Sequence, residues 1–183
     1  MKNTNHSLFD KYEMIKDLGT GSSGSVTLVR HISMDQERAL KKVPKSSAFA
    51  ESALSEARLL KSLEHPSIPR IFDFEEDDAF YYIVEEYIDG ETLDSFLLHQ
   101  QLISPGLFFN ICEQLCNVFI YLHTQISTPI IYRDLKPEHI IVCHNKLKLI
   151  DFGVSAYVIQ DGNNFNHYGN IEFSAPECFT EDT

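Results

Sequence analysis

At 183 residues the chain is long enough to bury a sizeable core, as one domain or as a small lobe with part of a second. Fifteen basic residues against 27 acidic ones give a net charge of −12, which excludes a broad basic patch for nucleic acid or an anionic membrane. No apolar run approaches the length that crosses a bilayer, and the polar first ten residues lack the apolar core of a secretory signal. None of the four cysteines (Cys112, Cys116, Cys143, Cys178) forms a C-x-x-C pair, so reduced thiols and a cytoplasmic setting are expected.

Tyr12 to Leu18 reads as a strand, followed by Gly19-Thr20-Gly21-Ser22-Ser-Gly24-Ser-Val26 and a second strand from Val26 to Arg30. A G-x-G-x-x-G run that opens a dinucleotide fold must lead into a helix, whereas Val26-Thr-Leu-Val29 is β-branched and strand-forming. A glycine-rich hairpin remains, whose backbone N–H groups can approach phosphate oxygens without side-chain clash. Arg38 to Val43 is the next strand. Alternation puts Lys41 on the face of Ala39 and Val43, which makes it the inward lysine, and leaves Lys42 as the competing candidate.

Glu51 to Leu63 has helical spacing, with Ala53, Glu56, Leu60 and Leu63 on one face and Arg58, Lys61 and Glu64 pointing outward. A carboxylate in an apolar stripe is costly unless paired, and Lys41 is the natural partner for Glu56. His65-Pro66 ends the helix. Ile68 to Phe74 and Phe80 to Val84 read as strands joined by the acidic turn Glu75-Glu-Asp-Asp78, and Glu85-Glu86-Tyr87-Ile88-Asp89-Gly90 follows.

Thr92 to His99 suits a short helix capped near Gly90. Ser104 is a fitting N-cap with Pro105 at the first helical position. Phe108, Ile111, Cys112, Leu115, Val118, Phe119 and Leu122 keep helical spacing, as in a core helix. Ile131 to Val142 reads Ile-Tyr-Arg-Asp-Leu-Lys-Pro-Glu-His-Ile-Ile-Val and sets Asp134 and Lys136 on a polar loop between apolar runs. Pro137 prevents a regular strand there, which suggests a strand-supported catalytic loop. Lys146 to Ile150 is a strand leading to Asp151-Phe152-Gly153, seventeen residues after Asp134, and Ala175-Pro176-Glu177 comes later.

Taken together these motifs resemble, in order, those of the protein kinases of the serine/threonine type. The resemblance implies an α+β two-lobe fold. Residues 1–88 would form an antiparallel β-sheet lobe with one helix, and 89–183 a partial, mainly helical lobe. It implies ATP as co-substrate with Mg²⁺, a protein hydroxyl as acceptor, Asp134 as the group that orients it, and Lys136 as a neutralising charge on the phosphoryl group. Lys41, held by Glu56, would bind the α- and β-phosphates under Gly19, Thr20, Gly21, Ser22 and Gly24. The backbone of Glu86 and Ile88 would meet adenine, with Val26, Ala39 and Ile141 among the nucleotide-binding residues, and Asp151 would hold the metal. Lysine two positions after Asp134 resembles the serine/threonine branch, and Tyr-Arg-Asp resembles bacterial members.

Several positions depart from the pattern. Tyr132 replaces a histidine, and Glu85 stands where an apolar or hydroxyl side chain usually guards a back pocket. His139 replaces the Asn that binds a second Mg²⁺. Mg²⁺ prefers oxygen, so His139 as a metal ligand suggests the loss of one ion or a preference for Mn²⁺. Asn170 replaces a threonine. Between Ser155 and Ser174 there is no serine or threonine, so control by phosphorylation of those residue types is not expected within that segment, leaving Tyr157 and Tyr168. The resemblance reaches about two-thirds of a kinase domain, so the expectation is a truncated second lobe whose 105–123 helix needs a partner or oligomer to cover it. The alternative reading is a pseudokinase, a nucleotide-binding scaffold without catalysis. A small-molecule phosphotransferase fits less well, because Arg-Asp-Leu-Lys and Ala-Pro-Glu are both present.

Overall fold

Alternating apolar residues in the first half of the chain build a five-stranded antiparallel sheet. In the computed structural model, residues 8–21, 24–100, 102–158 and 172–176 are described. They fall into two units, Met1–Leu63 with Pro69–Tyr87, and Glu64–Ile68 with Ile88–Thr183. The first contains a short helix α1 (Leu8–Lys11), strands β1 (Tyr12–Gly21), β2 (Gly24–His31) and β3 (Gln36–Pro44), helix α2 (Ala50–Lys61), and strands β4 (Ile71–Glu76) and β5 (Phe80–Glu86). Strand order is β1-β2-β3-β5-β4. Each sheet face has its own core. Leu8, Tyr12, Val29, Leu40, Tyr82 and Val84 pack on one side. Val43 and Ile83 pack on the other, against Ala53 and Ala57 of α2.

β4 starts at Ile71 rather than at Ile68, because the Ile68 N–H turns back to the His65 carbonyl at 3.1 Å and Pro69 has no N–H to give a ladder. The turn also explains why 64–68 belongs to the second unit. The Ser67 carbonyl accepts from Leu149 N at 2.8 Å, the Ile68 carbonyl from Lys148 Nζ at 3.3 Å, and Glu64 N donates to the Tyr121 hydroxyl at 2.7 Å. The sequence-based boundary after Ile88 therefore differs from the observed division on two counts, this segment and Ile88 itself.

The second unit contains β6 (Glu91–Thr92), α3 (Leu93–His99), α4 (Pro105–Ile120), β7 (Ile130–Ile131), β8 (Ile140–Cys143), β9 (Lys146–Leu149) and β10 (Ala156–Tyr157). β6, β8 and β9 form one small sheet, and β7 pairs with β10. Thr92, not Gly90, is the N-cap position of α3. Gly90 serves a different need: a Cβ there would lie 2.5 Å from the Val142 carbonyl oxygen, so only glycine lets β6 approach β8.

Ser104 caps α4 by accepting from Leu107 N at 3.2 Å, with Pro105 opening the helix. α4 runs into a π-helical turn, Tyr121–Gln125. The expected core helix is buried on one side only. Ile111, Val118 and Leu122 are buried, whereas Phe108 is 53% and Phe109 68% exposed. Among the described residues no helix is long and apolar enough to cross a membrane.

Candidate active site

In the first unit the glycine-rich stretch is the β1–β2 hairpin. Gly19 pairs with Val26, Thr20 with Ser25 and Gly21 with Gly24. Gly24 has φ 137°, and a Cβ on it would sit 2.1 Å from the Lys42 carbonyl oxygen, so the fold itself demands glycine there. Gly19 and Gly21 differ: a Cβ on either meets nothing within 4 Å. Their bareness is not required by packing and leaves the backbone open to a ligand. Ser22 lies outside the described residues.

Parity along β3 separates the two lysines. Lys41 pairs with Ile83 on the α2 face and donates to Glu56 Oε2 at 2.7 Å, with side chains 22% and 9% exposed. Lys42 lies on the opposite face, its ammonium 3.9 Å from the centre of the Phe80 ring. Ala39 is buried beside them and Val26 pairs with Lys41. Glu85 and Glu86 continue β5 rather than forming a loop, paired with Ala39 and Arg38. The Glu86 N–H donates to the Arg70 carbonyl at 2.9 Å.

In the second unit a run of irregular backbone gathers the remaining candidates. Lys136 Nζ is 3.1 Å from Asp134 Oδ2, two residues away. Pro137–His139 forms a 3-10 turn closed by His139 N donating to the Lys136 carbonyl at 3.0 Å. The His139 carbonyl then accepts from Ile150 N at 2.8 Å, which ties the loop to the residue before Asp151. His139 consequently stands between the two aspartates. Its Nδ1 is 2.9 Å from the Asp134 carbonyl oxygen and 3.4 Å from Asp134 Oδ2, and its Nε2 is 3.3 Å from Asp151 Oδ2. The Asp151 side chain is 53% exposed, and its Oδ1 accepts from Gly153 N at 3.3 Å. One open carboxylate and one imidazole form a donor pair that a divalent ion can use when phosphate and water complete its shell. Ile141 lies in β8, half-buried, and the Ile88 carbonyl accepts from Gly90 N at 3.0 Å.

Tyr132 has a role that reading the chain did not reveal. It is 2% exposed, stacks edge-on against Phe152 with ring centres 5.0 Å apart, and donates its hydroxyl hydrogen to the Ile150 carbonyl. Ser155 Oγ donates to the Tyr132 carbonyl at 3.1 Å. The loop and the Asp151 segment are thus joined twice over. The one available hint was an aromatic residue where the pattern has a histidine. Arg133 and Asp151 flank this tie with left-handed backbone, φ 73° and 61°. Asn170 and Glu177 lie outside the described residues.

The sequence profile of the protein kinase domain matches residues 12–183. The chain belongs to the protein kinase domain family. Among curated kinases, the serine/threonine-protein kinase PrkC of Bacillus subtilis is 31% identical over 176 residues, covering 91% of this chain and 26% of PrkC. The serine/threonine-protein kinase ppk25 of Schizosaccharomyces pombe is 34% identical over 167 residues, 88% of this chain and 39% of its own length. Calcium-dependent protein kinase 4 of Plasmodium falciparum is 32% identical over 192 residues, 97% of this chain and 35% of its own. The chain therefore spans well under half the length of the kinases it matches. Protein kinases use ATP, a divalent metal and protein substrates, and the mixed α+β units described above are those of this family.

Proposed function

We propose that this chain transfers the γ-phosphoryl group of ATP to serine or threonine hydroxyls of proteins. The observation that carries this reading is Asp134 Oδ2 at 3.1 Å from Lys136 Nζ, a base and a cation held on one loop, with His139 between Asp134 and the exposed Asp151. The acceptor hydroxyl oxygen forms the new bond to phosphorus, the bond to the ADP oxygen breaks, and the hydroxyl proton passes to Asp134. Lys136 neutralises charge that builds on the transferred group. Lys41, steadied by Glu56, takes the α- and β-phosphates under the glycine hairpin, with adenine against the backbone of Glu86 and Ile88. When bound, the divalent ion spreads charge over the phosphates, and Asp151 is the carboxylate to hold it, with Mg²⁺ or Mn²⁺ as the ion. Positioning and electrostatics account for most of the rate.

The serine/threonine preference rests on Lys136 and on the similarity to serine/threonine-protein kinases. A scaffold without catalysis is the less favoured reading. The test is transfer of labelled phosphate from ATP to a peptide library containing serine, threonine and tyrosine. Incorporation into serine and threonine that Asp134→Asn abolishes is expected. No incorporation by the unsubstituted protein, or equal incorporation by Asp134→Asn, would overturn the reading.

A further inference from the structure

Strand register puts Leu28, Ala39, Glu85 and Ile71 in one row across β2, β3, β5 and β4. Residues directly opposite share a face, and Ile71 packs with Val43 and Ile83 against α2, so this row lies on the α2 face. Two residues along β2, β3 and β5 the next row holds Val26, Lys41 and Ile83. Each row thus carries one ionisable side chain, Glu85 in the first and Lys41 in the second, about 7 Å apart along the sheet. Lys41 already donates to Glu56 of α2, so the Glu85 carboxylate is extra to that pair. Leu28 and Ala39 beside it are buried, and Glu85 itself is half-buried. Glu86, the next acid, is on the opposite face, two residues on from Val84 of the other core, and its Oε2 accepts from Arg70 N at 3.4 Å.

We infer that Glu85 reads the base: its carboxylate accepts a hydrogen of the 6-amino group of adenine and selects 6-amino purines over 6-oxo purines. The inference rests on the proposed function, which sets phosphates at Lys41 and adenine at the backbone of Glu86, the residue next to Glu85. Ala39 is the shortest side chain of its row, so a flat ring lying over it rests between Leu28 and Glu85 and turns one edge to the carboxylate. A 6-amino group has two hydrogens, so a backbone carbonyl takes one and a carboxylate the other. A 6-oxo purine puts an oxygen at the same place, and two acceptors repel. An ionised carboxylate only accepts, so Glu85 cannot turn to suit both bases, as an amide or a hydroxyl could. Its charge makes the favourable contact stronger than a neutral one, and the apolar row around it limits the competition from water.

The test is calorimetric titration of ADP and of inosine diphosphate, its 6-oxo counterpart, into the unsubstituted protein, Glu85→Gln and Glu85→Leu. The unsubstituted protein should bind ADP more tightly. In Glu85→Gln the ratio of ADP to inosine diphosphate affinity should fall about tenfold or more, because the amide can turn its N–H₂ to the 6-oxo oxygen. Glu85→Leu, which can accept nothing, should also lower the ratio, by weakening ADP. Both affinities come from one sample, so a partly unfolded variant affects them alike and leaves the ratio unmoved. A purely structural role for Glu85 would do the same. Equal affinities in the unsubstituted protein, or a ratio within twofold of its value in either variant, would overturn the inference and leave the nucleotide reading standing. No ADP binding by the unsubstituted protein would bring down that reading, and the inference with it.

Discussion

Lys41 with Glu56, and Lys136 with Asp134, His139 and Asp151, are two acid–base clusters made from much the same side chains. The first is built on regular elements: β3 parity and the α2 stripe aim one ammonium and one carboxylate at each other, on elements joined by the core of Val43, Ala53, Ala57 and Ile83. Its charges cancel and its carboxylate is buried. The second is built on irregular backbone, with two left-handed residues and a 3-10 turn. It sets two carboxylates and an imidazole against one ammonium, and keeps one carboxylate half in water. Periodic structure produces a closed pair, whereas broken periodicity leaves one carboxylate open to solvent and to an incoming ligand.

The contrast is tested most severely at Asp134. Asp134→Asn should lower phosphotransfer by about 10²–10⁴-fold while the circular dichroism spectrum is retained. A loss no larger than twofold would put this cluster outside the chemistry. The hairpin separates structure from function in another way. Gly24→Ala should cost about 2–3 kcal/mol in urea unfolding, because its Cβ collides with backbone at a positive φ. Gly19→Ala should shift stability by less than about 0.5 kcal/mol and instead weaken ATP binding.

Removing the carboxylate of the closed pair by Glu56→Ala should cost about 1–2 kcal/mol, since Lys41 retains some access to water. The double change Lys41→Met with Glu56→Leu should return most of that stability and still bind no ATP. The smallest effect concerns His65, whose ring rests against Tyr121. Burial, reinforced by the Lys148 charge, holds its pKa below the usual histidine value. The unfolded chain then binds a proton more readily, so this contribution is fully present above about pH 6.5 and is lost as pH falls from there through the depressed folded value. His65→Gln should flatten that slope in urea midpoints measured between pH 7.5 and 5.

Wherever a residue's place follows from its own neighbours, it was legible. Strand parity distinguished Lys41 from Lys42, the α2 spacing marked Glu56, and Ser104-Pro105 marked the start of α4. Contacts that join distant segments were not legible. The Tyr132 hydroxyl meets a carbonyl eighteen residues on, and His139 reaches Asp151 only because Ile150 N bonds the His139 carbonyl. β4 was read three residues too early because Ile68 is apolar enough for a strand, yet its N–H is spent on a turn. Helical spacing likewise said that α4 has an apolar stripe, but spacing carries no information on what covers Phe108 and Phe109.

The left-handed backbone at Arg133 and Asp151 also bears on how such a sequence evolves. Each non-glycine residue held in that region carries strain of about 1 kcal/mol or more, which glycine relieves at once. A laboratory lineage selected for heat resistance alone would drift toward Arg133→Gly and Asp151→Gly, gaining robustness while deleting the carboxylate that faces His139. Keeping aspartate at 151 is therefore a standing tax on durability, one that only selection for activity can maintain.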